Sequence, residues 1–343
     1  MEIKEQEIFQ LQETAEDTSF TFTPYSFEHY LGQAAVKEKL KVFVTACKLR
    51  SEPLDHLLLF GPPGLGKTTL AKVIAKELGV TLKITSAPVI ERTGDLVALL
   101  TNLQERDVFF IDEIHRLPKN VEEILYSAME NFCVDMIIGQ GAGAQSVRLP
   151  IHPFTLIGAT TKTSLISGPL QTRFGIIERL DFYEPEELAR IVEQNAQFLK
   201  IPIAAEAALT IGRRARGTPR IVKRLLRRVR DFAQVNAAAE ITKEVVDRAL
   251  TFLDIDEDGL SKLDRQLLRH IIYDFDGGPV GLETLAAMTG EDKDTIEDFC
   301  EPFLIRKGFM QKTSRGRCIP PKKIPYLKQR LFGETSEAQH NLF

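Results

Sequence analysis

The first residues whose types and spacing suit chemistry form a segment of the pattern G-x-x-x-x-G-K-[ST], Gly61-Pro62-Pro63-Gly64-Leu65-Gly66-Lys67-Thr68. It lies between a predicted buried strand, Leu57–Phe60, and a predicted helix, Thr68–Leu78. Such glycines let backbone N–H groups approach phosphate oxygens, and the positive end of the helix dipole faces the anion. Lys67 supplies a cation for the β- and γ-phosphates, and Thr68 a hydroxyl for Mg²⁺. The segment predicts an ATP site; a Gly-Pro loop that merely turns the chain is the alternative.

Two carboxylates follow another apolar run, Val108–Ile111. The carboxyl ends of parallel strands form the ligand-binding edge of an open α/β sheet. Asp112 is therefore expected to hold Mg²⁺ through water, and Glu113 to act as the general base that polarises the attacking water. Alone, two acids usually mark an ordinary strand end, but the preceding P-loop favours catalysis. His115 either couples this site to a partner or has a packing or surface role.

Three further positions carry weaker signals. A third apolar strand ends near Thr160 and Thr161, where a hydroxyl would orient the lytic water; we favour Thr160, and a cap or turn is the alternative. Arg173 is the candidate cation that reaches a γ-phosphate across a subunit interface. Arg220 follows Pro219 in the first turn of a predicted helix, where a cation opposes the helix dipole unless an anion binds nearby. For both arginines, a solvated side chain is the alternative.

The elements that must position these residues alternate along the chain from Tyr25 to about Phe182. The predicted strands are Leu57–Phe60, Leu82–Thr85, Val108–Ile111 and Thr155–Gly158, and the predicted helices are Ala34–Arg50, Thr68–Leu78, Leu96–Leu103 and Val121–Met129. Buried strands that alternate with helices predict an α/β fold, with a parallel sheet covered on both faces. After Pro185 only helices are expected to about Leu253.

The last part of the chain has the order of a winged-helix module. Three predicted helices, Leu263–Ile272, Leu282–Thr289 and Asp294–Phe303, precede a tight basic turn at Ser314–Arg317. We predict a disordered acidic tail over 1–20, a large P-loop domain over 21–184, a small all-helical lid domain over 185–256, a winged-helix DNA-binding domain over 257–332 and a tail over 333–343.

Composition limits the class of protein. The chain has 343 residues, 43% hydrophobic and 27% charged, which is typical of a soluble protein of two or three domains. Without a signal peptide or a membrane-length apolar run, a cytoplasmic location is expected. The four cysteines are widely spaced, which favours reduced thiols over a zinc site. Net charge is −4, but every charged residue over 212–230 and 302–330 is basic, which favours a polyanionic partner for the carboxyl half.

The order of these motifs resembles the bacterial RuvB family, AAA+ ATPases that form the hexameric motor of Holliday-junction branch migration. The motifs are the P-loop, Asp112-Glu113-Ile114-His115, Gly158-Ala159-Thr160-Thr161, Arg173-Phe174-Gly175 and Arg216-Gly217-Thr218-Pro219-Arg220. The resemblance runs from about Ser26 to Lys312 and beyond, and more specific strings include Leu54-Asp55-His56, Leu180-Asp181-Phe182-Tyr183 and Gly277-Gly278-Pro279-Val280-Gly281-Leu282.

The resemblance implies a fuller set of sites. Arg173 would act on the ATP of the neighbouring subunit, while Tyr183 and Arg220 would contact nucleotide within their own chain. The catalytic set would be Glu113, Asp112, Lys67, Arg173 and Thr160, with Thr68 and Asp112 at Mg²⁺. Nucleotide contacts would come from Gly61, Pro62, Pro63, Gly64, Leu65, Gly66, Lys67, Thr68, Thr69, Phe22, Thr23, Glu130, Asn131, Phe132, Tyr183 and Arg220.

The resemblance also implies macromolecular partners. The stretch Val134–Leu149 would be a protruding hairpin whose Met136, Ile137 and Ile138 dock on a junction-binding protein of the RuvA type; ordinary core strand residues are the alternative. Gly139, Gly141 and Gly143 favour a flexible tip. Duplex DNA at Holliday junctions would be held through phosphate contacts by Lys312, Arg315 and Arg317, with a solvated basic face as the alternative. A homo-hexamer and a junction resolvase complete the expected partners.

The chain departs from the family pattern at three places. Phe22-Thr23-Pro24 stands where the family usually has Leu-Arg-Pro, so contacts on the adenine side are expected to differ. Gln171 replaces an arginine, and Ser314 replaces a proline in the basic turn. Two other functions share these motifs: a clamp-loader-like or remodelling ATPase, and a DNA-binding regulator with an inactive P-loop. The winged module argues against the first, and intact Lys67 and Glu113 argue against the second.

Overall fold

The structure is a computed structural model that describes residues 21–138 and 145–333. These residues divide into two compact units, one of 21–199 with Gly217–Lys223 and one of Lys200–Arg216 with 224–333. Within the described ranges no helix is both long and apolar enough to cross a membrane. The predicted tails over 1–20 and 334–343, and the glycines of the predicted hairpin tip, lie outside the described residues.

A five-stranded parallel sheet forms the centre of the first unit. Its strands are β1 (Leu57–Phe60), β2 (Leu82–Ser86), β3 (Val108–Asp112), β6 (Thr155–Thr160) and β7 (Ile176–Arg179). They lie side by side in the order β2-β3-β6-β1-β7. Parallel pairing of β1 and β3 with β6 brings their carboxyl ends to one edge, where the P-loop and the acidic pair begin. The predicted α/β fold is confirmed.

Two edge strands differ from the prediction. β2 was expected to be buried, but it pairs only with β3 and Ile84 is 51% exposed. β7 was missed because it alternates buried and exposed residues, so it shows no continuous apolar run. The strand β6 is longer than predicted and includes Thr160, whose side chain is therefore buried rather than in a turn.

The helices of the first unit pack around this sheet. They are α1 (Ala34–Arg50), α2 (Lys67–Leu78), α3 (Thr93–Thr101), α4 (Lys119–Asn131), the short α5 (Gly168–Gln171) and α6 (Pro185–Phe198). Gly79 ends α2 in the left-handed conformation, and its N–H donates to the carbonyls of Ala75 and Lys76. The helix α4 leads directly into an antiparallel hairpin of β4 (Cys133–Ile138) and β5 (Gln145–Pro150), and buried Val134 anchors its base.

The second unit contains further helices and the winged-helix module. Its helical part comprises α7 (Ala205–Arg214), most of α8 (Pro219–Val235) and α9 (Lys243–Phe252). The helices of the winged-helix module are α10 (Lys262–Tyr273), α11 (Leu282–Thr289), α12 (Lys293–Thr295), α13 (Glu301–Arg306) and α14 (Ile324–Phe332). Its hairpin consists of β8 (Gln311–Thr313) and β9 (Gly316–Cys318). A π-helical turn, Ile296–Cys300, joins α12 to α13. The last helix, α14, was not predicted; its Leu327 is fully buried in the core of the module.

Candidate nucleotide site

The P-loop lies between β1 and α2 with its lysine buried. Gly64 and Gly66 have φ angles of 79° and 95°, which L side chains rarely adopt. Lys67 is 8% exposed, and its ammonium donates to the carbonyls of Gly61, at 2.8 Å, and Pro62, at 3.0 Å. Burial lowers the pKa of Lys67 to about 8, although Asp112 and Glu113 act in the opposite direction. The loop therefore holds a cation next to the acidic pair, as phosphate binding requires.

The acidic pair ends β3 at the same edge of the sheet. Glu113 has a φ of 50° and its N–H donates to Asp112 Oδ1 at 2.9 Å. Within the described residues no cluster of three or more His, Cys, Asp or Glu side chains is placed to hold a metal. Asp112 and Thr68 carry oxygen atoms, the ligand type that Mg²⁺ takes, and Mg²⁺ usually uses one or two protein ligands with water and phosphate oxygens.

A hydrogen-bonded group surrounds Glu113. The Thr161 hydroxyl donates to Glu113 Oε2 at 3.4 Å, and His115 Nδ1 lies 3.3 Å from the same oxygen. His115 Nδ1 is also 2.9 Å from the Thr160 hydroxyl, which accepts from the N–H of Lys162 at 3.0 Å. Burial lowers the pKa of His115. Thr160, the favoured sensor, is thus bonded to His115, whereas Thr161 contacts the candidate base directly.

His115 is not a surface residue. Its side chain is 7% exposed and bridges Glu113 and Thr160. The sequence leaves open whether His115 couples the site to a partner or has a packing or surface role, because a histidine three residues after a strand points either inward or outward. Only the pairing of β3 with β6 brings Thr160 next to it.

Tyr183 and Arg220 lie against the P-loop from the other side. The Tyr183 hydroxyl is 3.3 Å from the Leu65 carbonyl and 3.2 Å from the hydroxyl of Tyr30, and burial raises the pKa of Tyr183 to about 12. The backbone N–H of Arg220 donates to the Gly64 carbonyl at 3.3 Å. The sequence does not predict Tyr30 as part of the site, because no motif marks a buried tyrosine that supports a loop.

Phe22 and Thr23 occupy the segment before α1. The Phe22 N–H donates to Asn195 Oδ1 at 3.0 Å, and its carbonyl accepts from the Lys223 ammonium at 3.1 Å. Thr23 is exposed. The contacts of Phe22 thus tie this segment to α6 and to the start of α8.

Arg173 lies just after α5 and makes its contacts away from the P-loop. Its Nη2 is 3.0 Å from Glu130 Oε1, its Nη1 donates to the Pro169 carbonyl at 2.7 Å, and its guanidinium lies 4.4 Å from the centroid of the Tyr126 ring. Asn131 is exposed, and Phe132 packs edge-on against Phe154. The resemblance predicts that Glu130, Asn131 and Phe132 lie near nucleotide. In the structure these three residues lie next to Arg173 and the base of the hairpin.

The basic residues of the wing are not equivalent. Arg315 is exposed in the turn between β8 and β9, and Lys312 is about half exposed with its ammonium 2.5 Å from Glu297. Arg317, also predicted to contact DNA, is 8% exposed, and its Nε donates to buried Glu301 at 2.5 Å. Glu297 and Glu301 come from an earlier helical segment, so the uniformly basic run after Pro302 did not reveal them.

Comparisons with known proteins agree with this geometry. Family models match over the whole described architecture: the Holliday junction DNA helicase RuvB P-loop domain over 22–180, the RuvB AAA lid domain over 183–256 and the RuvB C-terminal winged helix domain over 257–328. A mutant of Thermotoga maritima RuvB is 46% identical, with 90% of this chain and 99% of that chain covered and a TM-score of 0.81. The Thermotoga maritima RuvB Holliday junction branch migration motor is 47% identical, with 89% and 98% covered and a TM-score of 0.79. With its P-loop, acidic pair and winged-helix module, the chain belongs to the RuvB family of Holliday junction DNA helicases, AAA+ ATPases.

Proposed function

We propose that this protein drives branch migration of Holliday junctions as a cytoplasmic homo-hexameric ring that hydrolyses ATP with Mg²⁺. The observation that carries the proposal is the separation of the catalytic groups. Lys67, Asp112 and Glu113 form one site, whereas Arg173 is held by Glu130 and Tyr126 on a different part of the same domain. We therefore assign Arg173 to the ATP of a neighbouring chain, which makes hydrolysis depend on assembly.

Each residue of the site has a distinct role in hydrolysis. Lys67 would exchange its loop carbonyls for β- and γ-phosphate oxygens. Thr68 and Asp112 would hold Mg²⁺, which would supply positive charge against the phosphates. Glu113 accepts the proton of the attacking water. Thr161 and His115 orient the Glu113 carboxylate, to which both are close. Arg220 and Tyr183, next to Gly64 and Leu65, sense the nucleotide in their own chain.

The proposed P-loop and winged-helix domains contact different partners. The P-loop domain over 21–184 carries the hairpin, whose Met136, Ile137 and Ile138 on β4 would dock on a RuvA-type protein. The lid domain over 185–256 follows, and the winged-helix domain over 257–332 contacts duplex DNA through Arg315 and Lys312. Phosphate contacts of this kind fix position without reading sequence, which translocation requires. A junction resolvase is a further proposed partner.

The deciding experiment is dissociation of a synthetic Holliday junction with ATP, with and without a RuvA protein. Wild type is expected to dissociate the junction and to hydrolyse ATP faster when DNA is present. The Arg173→Ala protein is expected to bind ATP normally but to hydrolyse it at least about 1,000-fold more slowly. Absence of both DNA-stimulated hydrolysis and junction dissociation by the wild type at low salt would refute the proposal.

A further inference from the structure

One face of α4 contacts the turn that carries Arg173. Glu122, Tyr126 and Glu130 are spaced four residues apart, so they form one stripe on the helix. The Tyr126 hydroxyl donates to Glu122 at 2.5 Å and lies 3.0 Å from the Ser167 hydroxyl, which also bonds to Glu122. Ser167 caps α5, accepting from the N–H of Leu170 at 3.2 Å. The tyrosine is therefore fixed to the turn from which Arg173 projects.

The stripe holds the guanidinium of Arg173 in two different ways. Glu130 binds the N–H edge, the same edge that a phosphate needs, and its side chain is 52% exposed. The Arg173 side chain is 21% exposed, so the pair is partly open to solvent, which screens it and lets phosphate replace the carboxylate. Tyr126 instead presents the face of its ring to the guanidinium, with the ring centroid 4.4 Å from Cζ. The ring supplies no oxygen acceptor to the N–H groups that Glu130 and the Pro169 carbonyl now occupy, so it does not compete with phosphate for them and the contact persists while the arginine binds phosphate.

We propose that Tyr126 is a positioning residue for hydrolysis in the neighbouring subunit: its ring holds the Arg173 guanidinium at the height and tilt needed to reach the γ-phosphate of that subunit. This rests on the proposed function of Arg173 across the interface. Glu122 and Ser167 fix the ring, and Glu130 releases the guanidinium to the phosphate. Misplacement of a catalytic group by about 1 Å costs on the order of 100-fold in rate, so the ring controls turnover without touching nucleotide.

Mixed oligomers separate this role from a structural one. The acceptor subunit carries Arg173→Ala, so its own ATP site is intact but it offers no arginine to its neighbour. The donor subunit carries Glu113→Gln, so it cannot hydrolyse ATP but offers Arg173. In a 1:1 mixture, hydrolysis arises only where an acceptor site meets a donor arginine. Adding Tyr126→Leu to the donor is expected to lower turnover of the mixture between about 10- and 100-fold.

Three controls make the outcome decisive. Tyr126→Phe in the donor keeps the ring but loses the hydroxyl that bonds to Glu122 and Ser167, so its turnover is expected to lie between that of the wild-type ring and that of Tyr126→Leu. Tyr126→Leu in the acceptor is expected to have a far smaller effect than in the donor. Thermal unfolding of each variant reports the fold. Equal losses with Tyr126→Leu in donor and acceptor, or full turnover with the Tyr126→Leu donor, would overturn the inference. If the mixture of simple donor and acceptor hydrolyses no more ATP than either alone, the proposed role of Arg173 itself fails.

Discussion

At the scale of single residues, Lys67 is a buried amine whose charge depends on pH in the physiological range. Burial lowers its pKa to about 8, from the usual value of about 10.4. Only the protonated form attracts phosphate, so the lysine is competent below pH 8 and loses its charge as pH rises above that value. Nucleotide affinity is thus expected to fall on the alkaline side.

The first prediction is that the dissociation constant for ATP increases about tenfold between pH 7 and pH 9, because about nine-tenths of Lys67 is then neutral. Titration with a fluorescent ATP analogue over this range measures it. Lys67→Arg is the control, since a guanidinium stays charged throughout. A wild-type affinity that is as flat with pH as that of the arginine variant would contradict the prediction.

The two threonines at the end of β6 are expected to separate by function. Thr161→Val removes the hydroxyl that contacts Glu113, so kcat should fall while the melting temperature changes little. Thr160→Val removes the partner of buried His115 and of the Lys162 N–H, at a cost of about 1–3 kcal/mol in stability. Steady-state hydrolysis and thermal unfolding of both variants test this. A larger kcat loss for Thr160→Val at unchanged stability would instead support Thr160 as the sensor.

At the scale of elements, the wing of the winged-helix module combines an exposed and a buried arginine on one hairpin. Gly316, between them, has a φ of 137°, and a Cβ there would lie 2.4 Å from the Val280 carbonyl. This close approach lets Arg317 pair with Val280 through the backbone. The side chain of Arg317 then reaches Glu301, while Arg315 stays in the turn.

The third prediction contrasts these two arginines. Arg315→Ala should weaken duplex binding uniformly across sequences, with the salt slope of log K reduced by about one, at unchanged stability. Arg317→Ala leaves the carboxylate of Glu301, whose side chain is 3% exposed, without its closest cation. Removing one partner of a buried pair costs about 3–5 kcal/mol. DNA binding at several salt concentrations and chemical denaturation separate the two effects; equal stability of both variants would be inconsistent with a buried Arg317.

At the scale of the whole molecule, the second unit is tied together by a buried ion pair. Arg216, in the segment between α7 and α8, donates to Asp264 in the first turn of α10, and the two side chains are 2% and 0% exposed. The guanidinium also lies 4.8 Å from the ring centroids of both Phe299 and Phe303. The helical part and the winged-helix module are therefore joined by contacts that water does not screen.

The fourth prediction is that Asp264→Ala lowers the stability of this unit by about 3–5 kcal/mol, because it leaves a guanidinium buried without its carboxylate. The midpoint of urea unfolding should then fall more for the winged-helix module than for the P-loop domain, relative to the wild type. Urea denaturation, monitored by hydrogen exchange in each domain, measures the loss of stability and the order of unfolding. Asp274→Ala, at a half-exposed carboxylate on the same module, is the matched control and should change stability by less than about 1 kcal/mol.

Much of the site followed from the sequence alone. The P-loop, the acidic pair and the start of α8 at Pro219 are contiguous patterns, in which neighbouring residues fix the backbone and its dipole directly. The helix that follows Lys67 was predicted without knowledge of any distant partner. The succession of apolar runs and helices was sufficient for the α/β fold, although it did not reveal the edge strands.

What remained was decided by the tertiary structure, because it depends on which distant segments pair. The contacts of Arg173 with Glu130, of Arg317 with Glu301 and of His115 with Thr160 join residues that no local periodicity relates. A pattern indicates which side of a strand or helix is apolar, but not which charge or hydroxyl meets it across the fold. The chain's sequence thus determined the chemistry available for ATP, while its packing determined which arginine is buried, which threonine contacts Glu113 and which tyrosine contacts Arg173.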